Sequence, residues 1–193
     1  YCDMFFAQGP SHANALTKHI AGAGGKIETV GNMRLDLLRR PFRALYEAEA
    51  YELLERHGNY ILINTNFGAI NSRWGDRVAF RKILANVGIL NPEDPVDMVY
   101  FDKLVKTEED SIIVLRKVLD SLAASHPEIN FIIRPHPSEK IEPWRRAYAN
   151  RENFLVTVDG SHIPWMLGSR IMLHAGCTTG LESEVLDAPC LSL

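Results

Sequence analysis

The sequence predicts an α/β fold built on a parallel sheet, and three observations support this prediction. From residue 108 onward, strand-like segments alternate with segments of helical periodicity. The strand-like segments are continuous apolar runs, as expected for strands buried on both faces of a parallel sheet. Each run ends in a polar or Gly-rich segment. Because ligands bind beyond the carboxyl ends of parallel strands, these segments are where we expect a binding site.

The first 32 residues have the pattern of a β–α–β unit. The apolar segment 4–9 is predicted to be a strand, and 26–32 is predicted to be a second one. Between them, 11–24 has helical spacing, with Ser11 as the N-cap and the Gly-rich "GAGG" as the end of the helix. A short strand, a helix and a second strand are therefore expected here.

The charged, helix-prone segment 33–59 is predicted to connect two domains. Pro41 divides it, and Gly58 is placed to end its second helix. We therefore expect residues 1–32 to be the end of one domain, and residues 60–193 to form a second domain. The chain begins without Met and ends in the apolar "APCLSL", so we expect a piece of a longer protein.

The second domain is predicted to begin with a strand at 60–68 and a helix at 76–89, followed by a loop at 91–98. The clearest helix is 108–127, where apolar residues form one stripe and acidic residues occupy the first turn. The remaining predicted elements are a strand ending at Arg134, strands at 153–160, 170–177 and 189–193, and helices at 142–150, 161–169 and 178–187.

Composition narrows the classes of function. The 193 residues are 46% hydrophobic and 23% charged, as in ordinary globular proteins. A net charge of −3 lacks the basic surplus of nucleic-acid-binding proteins, so we expect no nucleic-acid partner. No apolar run approaches the ~20 residues that span a bilayer. Three cysteines without metal-type spacing indicate reduced thiols and a cytoplasmic location.

Two prolines make the strand-end segment "RPHP" a stiff turn. Proline fixes φ and lacks an N–H, so Arg134 and His136 are held beyond a strand that cannot continue. The planar fork of Arg134 suits a phosphate, and His136 can donate a hydrogen bond or act as an acid. The alternative is that both side chains satisfy buried carbonyls at the strand end. The position at the carboxyl edge of the sheet favours ligand contact.

The segment "HAGCTTGLES" has the features of an anion site. Gly176 allows close backbone approach, and Thr178 and Thr179 begin a helix whose first N–H groups are free. Glu182 lies one turn further along, where it can reach a ribose hydroxyl. The alternative is structural: Thr179 and Glu182 have the spacing of a capping box.

The two other strand ends carry weaker signals. Backbone groups in "DGSH" can bind the polar edge of a nucleobase, whereas the nearby Trp165 is expected in the core. Asn64 and Asn66 can contact a ligand, although turn formation explains asparagine equally well. The histidines are scattered without paired Cys or carboxylates at ligand spacing, so no metal site is expected.

These motifs resemble the carboxyl-terminal half of bacterial GT-B glycosyltransferases. An Arg-Pro-His-Pro turn followed by a Thr-Thr-Gly-x-Glu helix start is most similar to surface-carbohydrate biosynthesis proteins. These include capsule polysialyltransferases, Kdo transferases and CDP-glycerol glycerophosphotransferases, whose His-Pro motif and Ser/Thr pair hold the phosphate of a cytidine nucleotide. The start, "FFAQGPSHANALTKHI", together with "KIETVGNMRLDLL", resembles the last β–α–β unit of the amino-terminal GT-B domain.

The resemblance implies two Rossmann-like domains with the active site between them. His136 and Pro137 correspond to the His-Pro motif, and Thr178 and Thr179 to the hydroxyl pair. The implied donor-phosphate residues are Arg134, His136, Thr178, Thr179 and Gly180. The implied ribose or base contacts are Gly160, Ser161, His162 and Glu182. The implied donor or acceptor contacts are Asn64, Asn66 and His174.

The resemblance also implies a function. We expect a metal-independent glycosyltransferase that uses a CMP- or CDP-linked sugar for capsule, lipopolysaccharide or teichoic-type polymers, with no cofactor. A glycan or glycolipid acceptor would place the full enzyme at the inner face of the membrane. The catalytic residues are unknown because such families usually carry them in the amino-terminal domain, so this chain alone is expected to be inactive. The alternatives are a UDP-sugar 2-epimerase and a non-catalytic nucleotide-sugar-binding module.

Overall fold

The computed structural model describes residues 3–19 and 26–193. The chain forms two compact units, Tyr1–Leu45 and Tyr46–Leu193. The division between them lies inside the segment 33–59 that the sequence analysis predicts as a connection. Among the described residues, no helix is both long enough and apolar enough to cross a bilayer.

The first unit contains the predicted strand, helix and strand. β1 (Phe5–Ala7) pairs in parallel with β2 (Ile27–Thr29), and α1 (Pro10–His19) precedes β2. The helix begins at Pro10, so the prediction that Ser11 is its N-cap is wrong. Proline fits the first turn because the N–H it lacks would have no helical partner there. The predicted helix end at "GAGG" lies outside the described residues.

Three helical elements follow β2, and Pro41 lies in the middle one, so it divides the segment as predicted. They are α2 (Met33–Asp36), a 3₁₀ turn (Arg40–Phe42) and α3 (Ala44–His57). Proline can occupy the first positions of the 3₁₀ turn because no N–H is needed there. Gly58 ends α3 with φ at +63°, a left-handed conformation that glycine adopts without strain.

The second unit contains a five-stranded sheet in which every pair of neighbours is parallel. The strand order is β5-β4-β3-β6-β7, which confirms the predicted α/β Rossmann-like class. From β3 the chain adds strands in one direction and then returns to place β6 on the other side of β3. The carboxyl ends of β3 and β6 therefore flank a topological switch point, where open α/β sheets bind ligands. The strands are β3 (Tyr60–Asn64), β4 (Asn130–Arg134), β5 (Phe154–Val156), β6 (Ile171–His174) and β7 (Cys190–Ser192).

The helices of this unit agree with the predicted pattern except at α5. The prediction of a loop at 91–98 is wrong because α5 already begins at Pro95. Asp94 caps that helix by accepting the N–H of Val96 at 2.8 Å, and Pro95 fits its first position. The helices are α4 (Arg77–Asn86), α5 (Pro95–Ser125), α6 (Glu142–Tyr148), α7 (His162–Gly168) and α8 (Thr179–Leu186).

The main core lies between the sheet and α5. Leu115 and Leu119, one helical turn apart, are buried against alternate residues of the central strands, which point to this face. Full burial of a leucine side chain contributes roughly 1.5–3 kcal/mol. The buried members on the sheet are Ile61, Ile63, Phe131, Ile133 and Leu173.

The opposite face of the sheet packs closely on α7 and α3 through a glycine. The hydroxyl of buried Tyr60 donates to the carbonyl oxygen of Trp165 at 2.8 Å. A Cβ atom on Gly168 would lie 2.7 Å from the Tyr60 hydroxyl and 2.9 Å from the carbonyl oxygen of Ala50. The absence of a side chain at Gly168 therefore allows these three elements to meet.

We expect Gly168→Ala to lower the free energy of unfolding by about 1–3 kcal/mol, because the added methyl group overpacks this contact. Urea unfolding followed by tryptophan fluorescence measures this loss. Tyr60→Phe removes one of the two close contacts, so Gly168→Ala should lower the free energy of unfolding by less in the Tyr60→Phe variant. Strict additivity of the two changes would contradict the proposed packing.

Candidate functional site

The four polar strand ends lie along one edge of the sheet, because all five strands are parallel. The loops after β3 and β6 are joined directly, since the side-chain amide of Asn66 donates to the carbonyl oxygen of Gly176 at 3.2 Å. β4 and β6 flank β3, and strand spacing places them about 10 Å apart. The turn that contains His136 and the start of α8 are therefore on the same edge and separated by one strand.

The ring of exposed His136 is held in one tautomer. Its Nδ1 accepts the backbone N–H of Ser138 at 3.1 Å, and the Ser138 hydroxyl lies 2.6 Å from the same nitrogen. In the neutral ring the proton is therefore on Nε2, which is a donor. Desolvation lowers the pKa of His136 below its ordinary value of 6.5, although the charge of Glu139 opposes this shift. Neutral His136 thus presents an Nε2–H group at the edge of the sheet.

Glu139 fixes this turn and was not among the residues that the sequence analysis selected. Its buried carboxylate accepts the Thr65 hydroxyl at 2.6 Å and the backbone N–H of His136 at 3.1 Å. It also accepts the indole N–H of Trp144 at 2.9 Å and the side-chain amide of Asn71 at 3.4 Å. One carboxylate therefore connects the loop after β3, the His136 turn and α6.

The backbone of the same turn is bonded to the loop after β3. The N–H of Arg73 donates to the carbonyl oxygen of Ser138 at 2.8 Å, and its guanidinium donates to that of Pro137 at 3.1 Å. A Cβ on Gly68 would lie 2.8 Å from the Ser138 hydroxyl, so the two segments are in close contact. The His136 turn is therefore fixed to the loop after β3 by hydrogen bonds and by close packing.

The Arg134 side chain points into the protein. It satisfies carbonyl groups near the strand end, which is the structural alternative to a ligand contact. Its side chain is buried, and its two terminal nitrogens donate to the carbonyl oxygens of Asp159 at 2.7 Å and Gly160 at 3.0 Å. The guanidinium also lies 5.3 Å from the ring centre of Trp165, which is buried as expected. These contacts hold the turn after β5, where Gly160 has φ at +67°.

The start of α8 keeps a threonine hydroxyl available. Thr178 occupies the N-cap position and is exposed, but its side chain makes no capping hydrogen bond. The hydroxyl of Thr179 lies 2.6 Å from the sulfur of Cys177. Gly180 packs on the ring of His174, since a Cβ there would lie 2.6 Å from its Nε2. Glycine at this position therefore allows α8 to approach β6.

Two residues selected as ribose or base contacts bind one another instead. His162 Nε2 lies 2.5 Å from the carboxylate of Glu182, whose side chain is buried. Ser161 caps α7, because its hydroxyl accepts the N–H of Ile163 at 3.3 Å. The contact between His162 and Glu182 joins α7 to α8, and the Glu182 carboxylate does not face the surface.

Asn64 and His174 lie side by side in the register of β3 and β6. Asn64 is buried, and its amide lies 3.1 Å from the sulfur of Met172. Its Oδ1 and the Nδ1 of His174 are buried without a hydrogen-bond partner among the described residues. Burial also lowers the pKa of His174. These two side chains therefore lie beneath the edge of the sheet, whereas Asn66 lies in the loop above it.

A second carboxylate, Glu108 on α5, supports the loop after β3 and was also missed. Its Oε2 accepts the N–H groups of Ala69 at 2.9 Å and Ile70 at 3.2 Å. Burial, with a smaller contribution from the charge of Glu139, raises the pKa of Glu108 to about 7, although the two N–H groups oppose the shift. Its spacing to those partners, 38 and 39 residues, gives no signal in the sequence.

The fold is similar to that of known structures, although the sequence matches no family model and no curated protein. Two solved structures of the wall teichoic acid polymerase TagF, both of a His-to-Asn variant and one soaked with CDPG, align at a TM-score of 0.50 and 13% identity. Each alignment covers 97% of this chain and 37% or 38% of the polymerase chain. At this identity the similarity shows the fold alone, which is α/β and Rossmann-like. The chain spans less than two-fifths of those polymerase chains.

We expect Glu139→Gln to lower the free energy of unfolding by about 2–3 kcal/mol. The amide group would turn its own N–H donors toward groups that donate to the carboxylate. Urea unfolding measures the loss, and Glu152→Gln, which changes an exposed glutamate of the same unit, is the matched control. Equal stabilities of the two variants would contradict the role given to Glu139.

We expect Glu108 to make the protein less stable as pH rises from its ordinary pKa of 4.5 to the raised value of about 7. In that range the folded protein holds the proton more tightly than the unfolded chain, so stability falls with pH by at most about 3 kcal/mol. Glu108→Gln removes the titration and keeps an acceptor for the two N–H groups. Denaturation at pH 4.5 and pH 8 should therefore show a smaller pH-dependent loss in the variant, and an unchanged loss would contradict the shifted pKa.

Proposed function

We propose that this chain binds the phosphate of a nucleotide-activated sugar, as part of a glycosyltransferase that builds a bacterial surface polymer. The proposed donor is CMP- or CDP-linked, and the proposed acceptor is a glycan or glycolipid. Support comes from the fold, which is similar to that of a wall teichoic acid polymerase studied with CDPG. Further support comes from the two motifs that resemble the His-Pro motif and the Ser/Thr pair of cytidine-nucleotide enzymes.

One observation carries the proposal: the fixed tautomer of His136. Because Ser138 occupies Nδ1, the Nε2–H of the ring is committed to donation toward the outside of the turn. Across β3, the Thr178 hydroxyl and the backbone N–H of Thr179 are donors on the same edge, whereas the N–H groups from Gly180 onward bond to carbonyl oxygens of Cys177 and Thr178. A phosphate or pyrophosphate group lying over the end of β3 would be bound from both sides.

The proposed chemistry is electrostatic. Departure of a nucleotide places negative charge on a phosphate oxygen, and donors that are already oriented stabilise that charge without reorganising. His136 and Thr178 would contact the phosphate. Arg134 and Glu139 would act indirectly, by holding the turns after β5 and β4. This assigns Arg134 a positioning role in place of the phosphate contact expected from the sequence alone.

We expect the isolated chain to bind CMP more tightly than UMP in isothermal titration. His136→Asn should weaken CMP binding about tenfold, because the Asn oxygen can still accept the Ser138 N–H while the Nε2–H donor is lost. The double change Thr178→Ala and Thr179→Ala should weaken it to a similar degree. His126→Ala, at an exposed histidine after α5, is the control and should leave binding unchanged.

Each outcome of this titration separates the alternatives. Unchanged affinity in both site variants would contradict the proposed phosphate site. A preference for UMP would favour the UDP-sugar 2-epimerase alternative. CMP binding without transfer activity in the full-length protein would favour the non-catalytic module.

A further inference from the structure

Exposed apolar side chains are concentrated in one segment of the second unit, residues 73–102. This segment contains the turn before α4, α4 itself, the connection to α5 and the first two turns of α5. Although it is a small part of the unit, it carries seven of the sixteen large apolar side chains that are exposed there. Scattered exposed apolar residues are ordinary, whereas a concentration of them marks an interaction surface.

The exposed apolar residues are not the ones that hold this segment together. α4 and α5 form an antiparallel hairpin, in which Arg77 at the start of α4 pairs with Asp102 of α5 at 2.6 Å. The interior of the hairpin is a core cluster of its own that includes the buried Phe101. On the outside, Val96 is 74% exposed and Tyr100 is 63% exposed. The hairpin is therefore packed internally and still leaves large apolar side chains in solvent.

The charges of the hairpin are divided between its two ends. Residues 73–82, which we call the basic half, contain four basic residues and one acidic residue, a net charge of +3. Residues 83–98, which we call the acidic half, contain three acidic residues and no lysine or arginine, a net charge of −3. Both halves carry exposed apolar side chains, such as Trp74 and Ile89. The charged residues are Arg73, Asp76, Arg77, Arg81 and Lys82 in the basic half, and Glu93, Asp94 and Asp97 in the acidic half.

This division of charge matches a second copy of the same chain. In a two-fold symmetric dimer both copies use the same surface, so that residue i of one copy contacts residue j of the other while j contacts i. Two hairpins that pack side by side in opposite directions bring each basic half against the acidic half of the other copy. An anionic membrane would attract the basic half and repel the acidic half, so it matches only part of the surface.

We propose that two copies of this chain form a two-fold dimer through residues 73–102, with the basic half of each copy against the acidic half of the other. Burial of the apolar side chains would supply the affinity, and the opposite charges would fix the direction of packing. The proposal goes beyond the nucleotide site and does not depend on it. The contact would border that site, because the Arg73 guanidinium donates to the carbonyl oxygen of Pro137, the residue after His136.

Sedimentation velocity over a concentration series tests the dimer. We expect a reversible monomer–dimer equilibrium with a dissociation constant on the order of 10 μM, and weaker association at high salt, which screens the charges. Tyr100→Ser should weaken association about tenfold, because truncation of a tyrosine at a contact removes buried apolar area. Tyr51→Ser is the matched control, since Tyr51 lies on α3 of the same unit and is 61% exposed, and it should leave association unchanged. Circular dichroism checks that each variant is folded.

Two single charge reversals test the direction of packing. Lys82→Glu in the basic half and Glu93→Lys in the acidic half change exposed side chains, and each should weaken the dimer about threefold. An equimolar mixture of the two variants should associate more tightly than either variant alone. In the mixed dimer one of the two charge contacts joins an unchanged basic half to an unchanged acidic half, whereas neither variant alone retains such a contact.

A chain that stays monomeric throughout the concentration series would overturn the proposal. Equal weakening by Tyr51→Ser and Tyr100→Ser would overturn the assignment to this surface, and a mixture no tighter than the single variants would overturn the antiparallel packing. Binding of a monomeric chain to vesicles of anionic lipid, lost in Tyr100→Ser, would assign the surface to a membrane instead of a dimer. A full-length protein that stays monomeric while this chain dimerises would assign the surface to another part of the same protein, and would also overturn the proposal.

Discussion

The geometry of the candidate site depends on one buried carboxylate, that of Glu139. A buried charge is costly unless hydrogen bonds replace its water, and here four uncharged donors do so. The donors come from the loop after β3, from the His136 turn and from α6, so no single segment satisfies the charge. The position of His136 is therefore coupled to the packing of three elements, and a change in any of them would leave Glu139 under-satisfied.

The polar residues near the strand ends fall into two groups with different consequences. Arg134 and Glu182 point inward, where carbonyl groups and His162 satisfy them, and they fix the turn after β5 and the contact between α7 and α8. His136 and Thr178 remain exposed, and neither His136 Nε2 nor the Thr178 hydroxyl makes a hydrogen bond within the described part of the chain. The inward group supplies rigidity, and the outward group would supply the donors of the proposed phosphate site. A preorganised anion site requires both, because donors on mobile loops would lose conformational entropy on binding.

Much of the fold could be predicted from the sequence because local sequence patterns indicate it. Apolar runs alternating with helical stripes indicate a parallel sheet, and polar strand ends indicate its functional edge. The start of α5 was missed because Pro95 signals a loop as readily as a first helical position. Glu108 was missed because both of its partners lie far away along the chain, and Glu139 was missed because two of its four partners, Thr65 and Asn71, do. Whether Arg134 faces a ligand or a carbonyl group depends on the positions of Asp159 and Gly160. The local sequence around Arg134 does not indicate those positions.

The electrostatics of His136 would connect the proposed phosphate binding to the protonation of its ring. Desolvation favours the neutral ring, while the negative charge of Glu139 favours the protonated ring, and the net effect is a lowered pKa. A bound phosphate would add a second negative charge close to the ring and would shift that balance toward the protonated form. By linkage, protonation of His136 would strengthen phosphate binding by the same factor. Glu139 therefore has two effects at this site. It fixes the position of His136, and its negative charge partly offsets the lowering of the His136 pKa by desolvation.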